Sequence, residues 1–221
     1  MKKVVAYIDG FNLYHAIWNE SSIKPDFPLS LRWIDYKKLA SSYMKDDWSL
    51  VWVYLFTATP IWNPEKIIRH NDFMRVQSEH CGVSVIKWNY NEVKKTFNFW
   101  SHKVIIPNDC RRVEPSKFTY VTHEEKQTDV NLSLGIVKWV IMDEYDIALI
   151  FTADSDIAPA IKMAKDLCPS KMFYWVLPFH FAETMNDVCD SCYYVRKKRL
   201  LESILPNEIQ LSDKIVRSPY I

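Results

Sequence analysis

Four aspartates sit where the chain changes character. Asp9 follows the apolar run Val4-Val5-Ala6-Tyr7-Ile8, Asp154 and Asp156 follow the apolar "DIALIFTA" at 146–153, and Asp129 opens the amphipathic stretch "DVNLSLGIVKWV". Each alone has an ordinary reading. Asp-Gly, as at Asp9-Gly10, is a common turn, and Asp, Ser and Thr often cap helices, a role open to Asp129 or Thr128 and to Asp154 or Ser155. Gathered at one crevice, like-charged carboxylates repel, and a protein keeps such a cluster mainly where a divalent cation or a substrate proton offsets the repulsion. Their chemistry therefore depends on whether the surrounding elements bring them to one place.

Apolar runs rich in β-branched and aromatic residues recur at 3–8, 49–58, 83–88, 146–153 and 171–177. Runs that are apolar throughout suit strands buried on both faces of a parallel sheet. Between them, 33–44, 63–81, 129–142 and 155–168 carry apolar residues at helical spacing, with Pro64 suited to a first turn. This alternation predicts an α/β fold. In a doubly wound sheet, ligands bind beyond the carboxyl ends of the strands, where strand order reverses. Asp9, Asp154 and Asp156 follow strands at that end. Asp129 begins a helix that runs antiparallel to the strands, so all four acids are expected at one crevice. Residues 87–123 break the alternation with short runs, a Pro-Asn-Asp turn and many aromatics, which predicts antiparallel strands or a hairpin inserted before the helix at 129. The expected organisation is one domain over 1–205 that contains this β-rich insertion, followed by 206–221 as a surface tail with little pattern.

The 221 residues suit one large domain, and 48% hydrophobic with 14% aromatic content marks an ordered globular chain. Lys and Arg total 28 against 27 Asp and Glu, so the net charge of +1 supplies no global attraction to a polyanion, and any such site must be a local patch. Only 3 Gly occur, which argues against glycine-rich phosphate loops. The opening "MKKVVAYIDGFN" turns polar too soon for a secretory leader, so the 5 Cys suggest a reducing, cytoplasmic setting. Cys189 and Cys192 have CxxC spacing without a second pair and read as ordinary thiols. No apolar run reaches the ~20 residues that a membrane span requires, so no membrane partner is expected.

Three stretches, "YIDGFNLYHA", "EEKQTDVNLSLGIV" and "FTADSDIAPAI", occur in the order that makes the chain resemble the NYN domain family, in particular its LabA-like (DUF88) branch within the PIN-like nuclease superfamily. The matching features are a first strand ending in D-G-x-N, a helix start K-x-x-D-V-x-L, and a strand ending in (G/A)-D-S-D. A later "DVCDSCYYV" resembles the family's A-D-x-F segment, with Cys189 in place of Ala, and the likeness spans roughly residues 3 to 200. Ala153 stands where Gly is usual, and Gln127-Thr128 where Gly-Val is common. The resemblance implies a PIN-like three-layer α/β/α fold and metal-dependent hydrolysis of an RNA phosphodiester, with RNA as partner and Mg2+ or Mn2+ as cofactor. Asp9, Asp129, Asp154 and Asp156 are then the expected ligands and catalytic acids, with Asn12 placed to bond a water or phosphate oxygen and Ser155 to bind phosphate.

Candidate RNA contacts are Lys94-Lys95, which lie among Trp88, Tyr90, Phe97, Phe99 and Trp100, and Arg111-Arg112 after the Pro107 turn. The same aromatics could equally form a small core of the insertion. Arg196-Lys197-Lys198-Arg199 is a second basic patch or a solvated helix face, and His15 reads as structural. Two other functions compete with the nuclease. One is a non-catalytic RNA- or protein-binding module with a structural ion. The other is an aspartyl phosphatase, in which an Asp-x-Asp pair usually follows the first strand rather than a late one. The oligomeric state is left open, a homodimer included.

Overall fold

The computed structural model of the chain describes residues 1–24, 26–59, 63–98, 117–125, 127–178 and 183–220. Its elements in order are β1 (Lys2–Asp9), α1 (Gly10–Ile23), a 3-10 turn (Leu29–Arg32), α2 (Tyr36–Ser41), β2 (Trp48–Thr59), α3 (Pro64–Arg75), a π turn (Val76–His80), β3 (Ser84–Asn98) and β4 (Lys117–Glu125). The second half adds α4 (Thr128–Ile141), β5 (Ile147–Phe151), α5 (Ala158–Leu167), β6 (Met172–Leu177), α6 (Glu183–Val188), β7 (Ser191–Tyr194), α7 (Lys197–Glu202), β8 (Glu208–Gln210) and β9 (Ile215–Arg217).

Seven strands form one sheet in the order β4-β3-β2-β1-β5-β6-β7, parallel except for β4. The alternation of side chains across the strands divides the core in two. Val4, Ala6 and Ile8 face a cluster with Leu13 and Ile17 of α1, Leu39 of α2, Met74 of α3 and Leu200 of α7. Val5 and Tyr7 face the other, with Leu132, Ile136 and Val140 of α4, Ile161 of α5 and Met185 of α6. The chain thus winds onto one face from β1 towards β3 and onto the other from β5 towards β7, which puts the reversal of strand order between β1 and β5. This is the predicted α/β architecture, a parallel sheet between two helical layers, and it is consistent with a PIN-like fold.

Local chemistry explains the boundaries. Asp9, Asp35 and Asn63 cap α1, α2 and α3 by accepting the amides of Asn12, Lys38 and Lys66, and Pro64 occupies the first turn of α3. The helix expected over 33–44 is shorter because Trp33 and Ile34 belong to a connection that ends at the Asp35 cap.

β3 continues past its parallel pairing with β2, which ends at Thr59↔Asn89, and from Tyr90↔Glu125 to Asn98↔Lys117 it pairs with β4 in an antiparallel ladder. That ladder projects beyond the carboxyl edge of the sheet. The residues after Pro206 differ from the patternless surface tail expected of them. β8 and β9 pair, and Ile209, Leu211 and Val216 join the core cluster on the α1 face. Period-two alternation over three residues is too short to register as a strand signal, which is why the hairpin is invisible in the sequence.

Candidate active site

Asp9 ends β1 and is 5% exposed, next to Thr152, which follows β5 and is fully buried. One Asp9 oxygen, Oδ1, accepts the Asn12 backbone amide at 2.9 Å and the other, Oδ2, accepts the Thr152 hydroxyl at 3.0 Å. The Thr152 oxygen in turn accepts the amide of Asp154 at 3.0 Å, and Asp154 Oδ1 accepts the amide of Asp156 at 2.8 Å. Asn12 closes the circuit from the helix side, its Oδ1 accepting the Ala153 amide at 2.8 Å. The indole of Trp175 on β6 donates to the Thr152 carbonyl at 2.7 Å and anchors the loop from below. The loops at the carboxyl ends of β1 and β5 are therefore bonded to each other across the point where strand order reverses, the place where such sheets bind ligands.

Gly10 permits the start of α1 to lie close against β2. A Cβ there would stand 2.8 Å from Leu55 Cδ1 and 3.0 Å from the Phe56 carbonyl oxygen, both on β2.

Asp129 arrives from the other helical layer. It lies in the first turn of α4, after Gln127, which takes a left-handed φ of 76° and makes no side-chain cap. Its carboxyl is pushed above its ordinary pKa by burial first, and then by the negative charges of Asp154 and Asp156. Those two acids sit in the loop before α5, whose cap position is Ile157, so neither caps that helix. Neither Asp129 at α4 nor Asp154 at α5 occupies the cap position, whereas Asp9 does cap α1. Ser155 lies in the same loop and its carbonyl accepts the Ala158 amide at 2.9 Å.

Among the described residues, no three His, Cys, Asp or Glu side chains are drawn together tightly enough to form a preformed ion cage. The donor chemistry nevertheless fits a hard divalent cation: the groups are anionic oxygens with no thiolate or imidazole among them, and Mg2+ is usually held by one or two carboxylates with water and phosphate completing its shell.

Lys94 and Lys95 are exposed on the projecting part of β3, paired in register with Val121 and Tyr120. Arg111 and Arg112 lie outside the described residues. Of the second basic patch, Lys197 pairs with Asp26 at 2.7 Å, Lys198 with Glu202 at 3.9 Å, and the Arg199 guanidinium covers the Tyr43 ring at 4.2 Å. Asp190, from the "DVCDSCYYV" stretch, directly precedes β7, the edge strand away from β4, where it accepts the Phe173 amide and pairs with Lys165. Cys189 and Cys192 are free thiols, with Cys189 pushed up to about 12 by burial. The residue that sequence reasoning missed is Thr152. Its signal was only a hydroxyl between an apolar strand and Asp154, a pattern that many turns share.

A parallel sheet between two helical layers, with strand order reversing between β1 and β5, is consistent with a PIN-like fold. The chain belongs to the NYN domain family, whose model matches residues 3–201. A curated relative, 6-hydroxy-3-succinoylpyridine 3-monooxygenase HspA from Pseudomonas putida, is 29% identical over 185 residues, covering 72% of this chain. The chain spans about half the length of that relative, 54%. A solved structure of a protein of unknown function from Vibrio parahaemolyticus has a TM-score of 0.51 at 12% identity over 89% of this chain and 94% of that one, a likeness of fold alone. NYN membership places the chain in the PIN-like nuclease superfamily, whose members generally use divalent metal ions. Among the described residues, no helix is long and apolar enough to cross a membrane.

Proposed function

We propose that this protein is a Mg2+- or Mn2+-dependent ribonuclease of the LabA-like branch, acting in the cytoplasm as an endonuclease on RNA phosphodiester bonds at the β1–β5 switch point. The observation that carries this reading is the circuit Asp9–Thr152–Asp154, which joins two strand ends; the upward push of Asp154 and Asp156 on the Asp129 pKa supports it. Asp9, Asp129, Asp154 and Asp156 would hold the cation, which supplies charge neutralisation and a more acidic water.

The protein's own groups do the rest. With its Oδ1 bound to the Ala153 amide, Asn12 presents its Nδ2 hydrogens as donors for a phosphate oxygen or a water. Ser155 offers a hydroxyl in the same loop, and no side-chain nucleophile is required. Thr152 holds the Asp9 carboxylate in one orientation, which suits a site whose reacting groups must be fixed before substrate arrives. Lys94, Lys95, Arg111 and Arg112 would track the RNA backbone, and the hairpin carrying the first two projects on the crevice side of the sheet.

The test is incubation of an end-labelled single-stranded RNA with the protein in Mg2+ or Mn2+, with and without chelator. Cleavage that needs the metal supports the reading. Tight retention without cleavage would make the chain an RNA-binding module instead.

A further inference from the structure

Helix α1 carries a row of rings that the proposed chemistry does not use. Phe11, His15 and Trp18 recur at intervals of four and three residues and so share one face. The Phe11 and His15 ring centroids are 4.2 Å apart, and those of His15 and Trp18 are 6.2 Å apart with planes inclined by only 19°. Tyr90 of β3 backs Phe11 at 6.3 Å, and the guanidinium of Arg32 lies 4.4 Å from the centre of the Trp18 ring. Phe11 and Trp18 are nevertheless 42% and 40% exposed.

We propose that this face of α1 is a platform on which unpaired bases of an RNA strand stack while its backbone enters the carboxylate site; the identity of the strand rests on the nuclease reading above. Three observations favour this occupant over a protein partner. The row consists of rings closed by a planar cation, with no aliphatic side chain in it, and flat π surfaces beside Arg are what single-stranded nucleic acid sites use. It is continuous with the site, because Phe11 follows Asp9 by two residues and the Asp9 carboxylate caps this same helix. From Phe11 to Trp18 the helix rises about 10 Å, close to the rise of about three stacked bases.

A cation stands at each end of the row, the Arg32 guanidinium also donating to Ser21 Oγ at 2.8 Å. Arg32 lies at the Trp18 end, and at the Phe11 end strand alternation puts Lys94 on the face of β3 that also carries Tyr90. Paired bases present no free faces to such a row, so the platform selects unpaired RNA.

The test measures anisotropy of a labelled single-stranded oligoribonucleotide and of a blunt RNA duplex in chelator, for wild type, Phe11→Leu, Trp18→Leu and Trp18→Phe. Cleavage in Mn2+ is measured alongside. Leucine keeps apolar bulk and removes the ring, so each Leu variant is expected to bind the single strand about tenfold more weakly. Trp18→Phe should stay near wild type, and duplex binding should not change. If wild type cleaves RNA and the Leu variants bind it equally well, the platform is wrong and the nuclease reading stands. If Trp18→Phe loses as much as Trp18→Leu, or duplex binding falls in parallel, the loss comes from the helix and not from stacking, which also overturns the platform. If wild type neither binds nor cleaves, the nuclease reading falls and takes the platform with it.

Discussion

Asp9 has two structural duties besides the catalytic one proposed for it. Its two oxygens accept two converging donors, the Asn12 amide and the Thr152 hydroxyl. An amide side chain has one acceptor oxygen, so in Asp9→Asn one donor must face another donor. That variant is expected to lose at least about tenfold in RNA cleavage, as removal of a metal-facing group commonly does. It should also be about 1–3 kcal/mol less stable, the cost of a buried donor left without its acceptor; single-turnover assays and urea melts read the two effects separately. Asp129 has the opposite sign. Its folded carboxyl is raised above the ordinary 3.8 by burial and by Asp154 and Asp156, so the folded protein holds that proton more tightly than the unfolded chain does. Stability therefore falls as pH rises from about 4 through the raised pKa, and the ionised form weighs against the fold at neutral pH. In chelator, Asp129→Asn is expected to melt higher than wild type at about pH 7, with the gap closing near pH 3, and millimolar Mg2+ should raise the wild type more than the variant. A wild type that melts higher than Asp129→Asn in chelator at neutral pH would show that the carboxylate stabilises α4 instead. The four acids were legible in the sequence because each terminates an apolar run or opens an amphipathic one. Thr152 was not, since a hydroxyl that joins two strand ends acts through tertiary geometry alone.

The strands of the parallel sheet before the last were readable as elements because burial on both faces leaves continuous apolar runs, as in β1, where six successive residues are buried. The long helices α3, α4 and α5 were readable from spacing. The short elements α6, β8 and β9 carry too few residues for either period to emerge. The antiparallel pairing of β3 with β4 followed from alternating runs, but the placement of Lys94 depends on where the parallel register ends, which no local pattern encodes. Alternation separates the two lysines: Lys94 shares the face of Tyr90, and Lys95 points to the other. Lys94→Gln is accordingly expected to weaken single-stranded RNA binding and to reduce the slope of log affinity against log salt by about 0.7, the share of one phosphate contact. Lys95→Gln should change the slope less. Equal slopes for both variants and wild type would move the backbone contacts away from this strand.

The molecule is built so that two half-sheets meet at one seam; the proposed site and the projecting hairpin lie at its carboxyl edge, from which the ring row of α1 runs back along the helix. The terminal hairpin supports this frame from the α1 face. Leu211 is 5% exposed within the core cluster, and Asp213 pairs with Arg75 of α3 at 2.6 Å. Leu211→Ala is expected to cost about 2–5 kcal/mol, or about 5–15 °C in a thermal melt, which would fail to appear if residues 206–221 were only a surface tail. The central claim, that the carboxylates at the β1–β5 seam hold the ion that cleaves RNA, is tested most directly by anomalous scattering from crystals soaked in Mn2+ together with a short RNA. The account predicts a Mn2+ peak at the carboxyl edge, within about 2.0–2.6 Å of oxygens from at least two of Asp9, Asp129, Asp154 and Asp156. A protein that cleaves RNA in Mn2+ yet shows its peak elsewhere, or none at this edge, would contradict it.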